Sequence, residues 1–549
     1  MSANSGPTAA PAAVATHGPT GGGFALADLL AAVAGAVPER NAVLAGERRL
    51  SYRELDCRAS LLARHLRSVG IGHGEHVAIL AYNRAEWVES MFGVLRAGAV
   101  PVNVNYRYIA PELRHVLLDS DSVALIAERS LIPRVSEVHA ELPKLRHVLL
   151  LDDGGPETSL TGTDYESALA LAPSGQALPP LSGDDRYLLY TGGTTGDPKG
   201  VMWRQEDVFR VALERRRSEE PRAASPADLA ERARACPERR MLVLGPLMHA
   251  AGQWNALSML FSGKTVVLNA RRTFDPEEVV ALADRERVHA LQLVGDAMAR
   301  PIAQRLLATP RRCAPLSTVV SGGTPLTSAV RDLWREWRPD ITLNDSYGGT
   351  ETGVCGASDA VEDDDSPSFT MGASVAVLDS ELRPLPPGSE EVGRIARTGR
   401  IPLGYYNDPE RTERTFPRDA EGRRWAMSGD FGTVAADGSV RLLGRGSAVI
   451  NTGGEKVYPE EVESALKSHP GIEDAIVVPA PDDQLGQRVC AVIAATPDHR
   501  PSENQLREHC RTRLAGFKVP RAFHVVERVR RTAVGKQDYR WAMALARES

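Results

Sequence analysis

The sequence predicts an α/β protein with a large N-terminal domain of layered sheets and helices and a small C-terminal domain. Three observations predict it. The chain has 549 residues, more than one ordinary domain holds. From Phe24 onward, helical and strand patterns alternate. Near Gly444-Arg445-Gly446-Ser447 a glycine-rich break precedes a compact stretch of about 100 residues, enough for one small domain. The hydrophobic fraction, 42%, is ample for packed cores.

Residues 1–23 are rich in Ala, Gly, Pro and Thr and read as a disordered tail. Leu55, Ala59, Leu62 and Leu66 then fall at helical spacing, and Gly70 stops that helix. Val77-Ala78-Ile79-Leu80 reads as a buried strand. Trp87, Met91 and Leu95 mark a second helix, and Val100 to Val104 a second strand. Tyr187-Leu188-Leu189-Tyr190 reads as a buried strand end. The arginine-rich segment from Glu214 to Arg240 reads as a solvated helical excursion, with part of a substrate-side lid as the alternative. Glu362-Asp363-Asp364-Asp365 reads as an exposed loop. Beyond the break, a helix starts at Pro459 with Glu460, Glu461 and Glu463 at its positive end. Lys467 and His469 lie near its other end, and Pro470-Gly471 stops it. The expected division is therefore 1–23, 24–444 and 445–549.

Charge and cysteine usage narrow the function. The formal net charge is −6, from 65 basic and 71 acidic residues, and both signs are interspersed. That pattern argues against nucleic acid as the main partner. The six cysteines are scattered without a CxxC pair, which suits reduced thiols in a cytoplasmic protein. No run of about 18 apolar residues suggests a membrane span, and the N-terminus lacks the order of a signal peptide.

The stretch Tyr190-Thr191-Gly192-Gly193-Thr194-Thr195-Gly196-Asp197-Pro198-Lys199-Gly200 carries the strongest chemical signal. Glycines let consecutive backbone N–H groups form an anion nest. Threonine hydroxyls add donors, and Lys199 adds a point charge. A polyphosphate tail needs such a set. The spacing is not the Walker pattern, which ends Gly-Lys-Ser/Thr. A plain turn is the bland alternative, but it has no use for the lysine and hydroxyls together. The second signal is Asn344-Asp345-Ser346-Tyr347-Gly348-Gly349-Thr350-Glu351. There an aromatic ring can stack on a purine, and a carboxylate can hold Mg²⁺. A core tyrosine with a surface glutamate would account for the residues equally well. Gly322-Gly323-Thr324 in Ser321–Leu326 is an ordinary turn by itself. Asp430, after Ser428-Gly429, can accept both hydroxyls of a ribose or simply cap a turn. His249 lies in the apolar run Pro246–Trp254 and reads either as a packed core residue or as a pocket wall.

Together these strings resemble the adenylate-forming enzymes, namely acyl-CoA synthetases, luciferases and peptide-synthetase adenylation domains. The resemblance spans about Phe24 to Tyr539. The texture of Val102-Asn103-Val104-Asn105-Tyr106-Arg107-Tyr108 is nearest to fatty-acyl and sterol-side-chain CoA ligases. It implies an adenylation domain over 24–444 and a small mobile α+β domain over 445–549. The implied reaction joins a carboxylic acid to ATP, with Mg²⁺, as acyl-AMP, then passes the acyl group to CoA. Gly192 stands where the family usually has serine.

The resemblance also implies roles. Thr191 to Thr195, Lys199 and Thr350 hold phosphates, and Glu351 holds the metal. Gly322, Gly323, Thr324, Asn344, Asp345, Tyr347 and Gly348 bind ATP, with Gly322–Thr324 in the turn that contacts adenine and Tyr347 stacked on it. Asp430 holds the ribose, with Arg445 near ribose and phosphate. Lys536, in Arg531–Lys536, neutralises the carboxylate and α-phosphate during adenylation. His249, Gly252, Gln253, Trp254, Val294 and Gly295 border the acyl pocket. Gly453, Gly454, Glu455 and Lys456 line a pantetheine tunnel once the small domain rotates. Ser447 occupies the hinge, where the family commonly has Asp or Lys. Rival readings are loading of an acyl carrier protein, activation of nitrite for an amine acceptor, and a non-catalytic nucleotide-binding relative.

Overall fold

The computed structural model describes residues 24–547 apart from 157–159, 174–176, 193–196, 215–219, 310–311, 324–325, 327, 359–367, 446–449, 458, 468, 497–499 and 531–537. The tail 1–23, the acidic run Glu362–Asp365, Gly193, Thr194, Thr195, Thr324, Ser447 and Lys536 therefore lie outside the described residues.

The expected alternation is present. Helix Tyr52–Ser68 starts at a capping box. The Ser51 hydroxyl accepts from the Glu54 amide at 3.2 Å, and the Glu54 carboxylate accepts from the Ser51 amide at 2.7 Å. Gly70, with φ +80°, ends it. Strand His76–Leu80 sits inside a five-stranded parallel sheet with Val100–Asn103, Ser122–Glu128, His147–Leu151 and Thr163–Asp164. Its side chains alternate between two cores. Val77 and Ile79 face helices Tyr52–Ser68 and Ala85–Arg96, while Ala78 and Leu80 face Leu113, Val116 and Leu117 of helix Ala110–Asp119. Burial on both faces explains the unbroken apolar run.

A second sheet has 13 strands among the described residues. Its middle is parallel: Arg240–Val243, Thr265–Leu268, Ala290–Leu293, Thr318–Gly322 and Thr342–Gly349. From Thr342–Gly349 it continues as an antiparallel meander to Val375–Leu378. A short third sheet pairs Arg186–Thr191, Lys199–Arg204 and Gly404–Tyr405.

The excursion after Glu214 is less solvated than its arginines suggested. Its helix Pro226–Ala235 buries Leu229, Ala230 and Ala233 and packs on helix Leu26–Ala36. The apolar positions share one side of the helix, and the arginines occupy the rest.

The small domain is α+β. Strands Ile472–Asp482, Gly486–Ala495 and Ala522–Val526 form its centre, extended by the hairpin Ile450–Thr452 and Glu455–Val457. Helices Pro459–Lys467 and Glu503–Arg511 cover one face through Val462, Leu466, Leu506 and Cys510. Helix Tyr539–Arg547 covers the other through Ala542 and Ala546. All six cysteines are free thiols. No helix among the described residues is long and apolar enough to cross a membrane.

Candidate active site

Four parallel strands of the large sheet end at one place. Gly245 follows Arg240–Val243, and Val294 follows Ala290–Leu293. Gly322 ends its strand, and Ser346 to Gly349 end theirs. Gly245, Val294, Gly322, Ser346, Gly348 and Gly349 line a cavity of about 390 Å³. The crevice outside the carboxyl ends of parallel strands is where open α/β sheets bind ligands.

The strands that flank the phosphate-type loop, Arg186–Thr191 and Lys199–Arg204, are antiparallel, and Thr191 pairs with Lys199. Thr191 and Gly192 line the cavity. The strand end is pinned by Asn103, whose Oδ1 accepts from the Tyr190 amide at 2.6 Å. The Asn103 Nδ2 donates to the carbonyls of Tyr190 at 2.9 Å and Met248 at 2.5 Å. Lys199 is buried. Its Nζ donates to the Tyr405 hydroxyl at 2.6 Å and lies 3.3 Å from Oε1 of Glu351. The Tyr405 hydroxyl in turn donates to Glu351 at 2.9 Å. Burial, with the Glu351 charge beside it, pushes the Tyr405 phenol well above its usual range, so it stays protonated.

Strand Thr342–Gly349 alternates, and the alternation sorts the second motif. Ser346 and Gly348 face the cavity, and Gly349 and Thr350 continue its wall. Gly348 has to be glycine, because a Cβ would overlap the Gly353 carbonyl oxygen. Asp345 and Tyr347 point the other way, which corrects two expectations. Asp345 is buried and accepts from the Leu326 amide at 3.2 Å and from the Arg331 guanidinium. It anchors the turn that carries Gly322 and Gly323 instead of lining the cavity. Tyr347 packs its ring on Phe369 at 5.2 Å, and its hydroxyl donates to Asp430 at 2.9 Å. The ring expected to stack on adenine is in this structure part of the core. Asn344 is half-buried on the Ser346 side of the strand without reaching the cavity. Asp430 is buried and pairs through its backbone with Arg445.

Helix Ala250–Phe261 forms the apolar wall. His249 caps it from an extended backbone and is half-buried at the cavity mouth, so the packed-core reading fails. Gly252 and Trp254 line the cavity. A Cβ on Gly252 would overlap the carbonyls of Pro246 and Gly245, so the helix can pack this closely only with glycine there. Gln253 does not line the cavity. It is fully buried, takes the Tyr187 hydroxyl and donates to the Leu247 carbonyl at 3.2 Å. Val294 lines the cavity, whereas the Gly295 amide instead donates to Ser321 at 3.1 Å.

The small domain completes the mouth. Gly454, Glu455 and Lys456 line it beside Phe517 and Lys518. Gly453 and Gly454 adopt φ of +56° and +86°, a turn that favours glycine. Glu455 is 4% exposed and bridges the domains. Its carboxylate lies 3.0 Å from Arg107 Nη1 and 3.3 Å from His249 Nε2. Burial alone would raise its pKa, but His249, Arg107 and Lys518 together hold it below the usual carboxylate value. Lys518 is itself buried against Glu112, 2.8 Å away.

Residues 30–406 match the profile of the AMP-binding enzymes, and residues 461–536 match the C-terminal domain of AMP-binding enzymes. The chain belongs to the AMP-binding enzyme family. Among AMP-binding enzymes it is 39% identical, over 95% of its length and 96% of the relative, to a medium/long-chain-fatty-acid–CoA/3-oxocholest-4-en-26-oate–CoA ligase of Mycolicibacterium smegmatis. It is equally 39% identical to the 3-oxocholest-4-en-26-oate–CoA ligase of Rhodococcus rhodochrous, over 94% of this chain and 95% of that one. A solved structure of o-succinylbenzoate CoA synthetase from Bacillus subtilis superposes with a TM-score of 0.78 at 26% identity, covering 96% of this chain and 99% of that one.

Among the described residues no group of three or more His, Cys, Asp or Glu side chains converges as a metal cage. Mg²⁺ takes one or two carboxylates and completes its shell with phosphate oxygens and water. Glu351, held by Lys199 and Tyr405, is a carboxylate of the kind that could serve it. Sequence reasoning missed Asn103, Tyr405 and Trp203, whose Nε1 donates to the Thr350 carbonyl at 2.9 Å. Each is an ordinary residue within an apolar run, and only its partner across the fold reveals its role.

Proposed function

We propose that this AMP-binding enzyme activates a hydrophobic carboxylic acid with ATP and transfers the acyl group to CoA. One observation carries the reading. A single cavity joins Thr191 and Gly192 of the phosphate-type loop, the Gly349-Thr350 turn, the apolar wall of helix Ala250–Phe261 and the Gly454–Lys456 loop of the small domain. Those are the surfaces needed for a triphosphate, an acyl chain and a thiol arm.

In the first half-reaction a carboxylate oxygen attacks the α-phosphorus, and pyrophosphate leaves. Thr191, the backbone at Gly192 and the Gly349-Thr350 turn bind the phosphates. Lys199, held by Tyr405 and Glu351, supplies a fixed positive charge where the loop ends. Asp430 binds the ribose. Lys536 offsets the charge that builds on the carboxylate and phosphate oxygens. Mg²⁺ bound at Glu351 would draw charge from the departing pyrophosphate. In the second half-reaction the CoA thiol attacks the acyl carbonyl and AMP leaves. Glycines 453 and 454 give the pantetheine arm room, and Glu455 steadies the docked small domain through Arg107 and His249.

Acid-dependent ATP–pyrophosphate exchange, followed by CoA-dependent AMP release, tests this. Exchange that needs the acid and Mg²⁺, with thioester formed only when CoA is added, is the expected result. Turnover with nitrite and an arylamine and without CoA would overturn it.

A further inference from the structure

The floor of the acyl side is built where the sequence has no motif. The short helix Gln205–Val208 runs into a π-helical turn, Phe209–Leu213. Such wide turns are rare and recur at functional sites. Phe209 and Leu213 are fully buried anchors. Phe209 stacks on Phe24 at 5.7 Å and meets Phe261 edge-on at 5.7 Å. That contact places the turn at the far end of helix Ala250–Phe261, away from His249. Between the anchors, Val211 and Ala212 line the cavity. Val211 presses on bare backbone: Gly353 has φ +68°, and a Cβ there would overlap Cγ1 of Val211.

Glu214 locks the turn. Its amide donates to the Phe209 carbonyl at 2.8 Å. Its side chain is 1% exposed. The carboxylate accepts from Arg210 Nη1 at 3.2 Å, Arg222 Nη1 at 2.9 Å and the Ala223 amide at 2.7 Å. A buried carboxylate so bonded is satisfied, and it ties the turn to Arg222 and Ala223 further along the arginine-rich excursion.

The cavity depth follows from the helix that borders it. Ala251, Asn255 and Ser258 line it as one stripe. At 1.5 Å per residue that stripe runs about 10 Å. An extended chain advances roughly 1.2 Å per bond, so about 10 Å holds on the order of eight carbons.

We propose that Val211 and Ala212 set the length and bulk of the acid, selecting a medium-length chain over a steroidal one, with Glu214, which also borders the cavity, as the positioning residue that holds the turn. This rests on the acid–thiol ligase reading above. The test is pyrophosphate release over a graded series of straight-chain acids plus a steroidal acid, for wild type, Val211→Ala, Ala212→Val and Glu214→Gln. Wild type should peak at medium length and lose at least about 10-fold in kcat/KM with the steroidal acid. Val211→Ala should move the peak to longer acids and Ala212→Val to shorter ones, with the KM for ATP unchanged. Glu214→Gln keeps the side-chain shape and should broaden the profile by raising the acid KM while kcat holds. An active wild type that prefers the steroidal acid, or variants that keep its profile, would overturn the inference and leave the ligase reading standing. A wild type inert toward every acid would sink the ligase reading and the inference together. Ala212→Val reports on the floor even if Val211→Ala fails to fold.

Discussion

The nucleotide wall and the acyl floor of the same cavity are built in opposite ways. The proposed nucleotide wall draws on two contiguous strings, from which Thr191, Gly192, Ser346, Gly348, Gly349 and Thr350 line the cavity. The floor comes from Val211, Ala212 and Gly353, which meet only because a π-turn is pressed against a hairpin. Phosphate looks the same in every substrate, so its cradle can be a fixed local motif. An acid varies, so its pocket is shaped by replaceable side chains held from behind. The wall also depends on buried ionic supports, Asp345–Arg331 and Lys199–Glu351, that never touch the acid end.

The contrast can be broken most forcefully at Asp345. Asp345→Ala leaves Arg331 buried without its partner and should cost about 3–5 kcal/mol of stability, read by chemical denaturation. If instead the protein keeps its stability and loses only ATP affinity, Asp345 is a ligand and the wall has no such support. Next in size is Lys536→Ala, which should slow ATP–pyrophosphate exchange by about 10²–10³-fold yet spare thioester formation from supplied acyl-AMP. Equal loss of both half-reactions would refute that division of labour. Tyr347→Phe removes one hydrogen bond to Asp430, worth about 1 kcal/mol. It should raise the KM for ATP several-fold and leave the acid profile untouched, and a changed acid profile would blur the two regions.

The smallest effect is a pH dependence at the domain junction. Glu455 is held below its ordinary value of 4.5 by its cationic neighbours, against the effect of burial. Its contribution is therefore fully present above about pH 4.5 and is lost as the pH falls through the depressed value. The difference in melting temperature between wild type and Glu455→Gln should be flat from neutral pH down to that point and shrink below it. A difference that already shrinks between about pH 8 and pH 6 would show that the Glu455 carboxylate is not the titrating group.

Much of the fold was legible from periodicity. The helix Tyr52–Ser68, the strand His76–Leu80 and the helix starting at Pro459 each carry their own signal in caps, apolar runs or charge placement. Of the residues that line the cavity, Thr191, Gly192 and Thr350 belong to strings that residue type and spacing single out, while Gly454 and Glu455 were singled out by the family resemblance. Gln253, Asp345 and Tyr347 were misread because a motif does not say which face of a strand or helix it presents. Glu214 looked like the start of a solvated run, since nothing local announces that Arg210, Arg222 and Ala223 converge on it.

By itself, the sequence determined the α/β plan with a large and a small domain and the glycine- and threonine-rich loop, and its family resemblance gave the kind of chemistry. The plan rests on short-range interactions: helix caps, glycine conformations and a period of two or 3.6 residues. The tertiary structure alone decided that Lys199 is locked on Tyr405 and Glu351, that Glu455 bridges the domains and that Val211 closes the acyl floor. These are contacts between residues distant in the chain, and long-range packing leaves no periodic trace in the sequence.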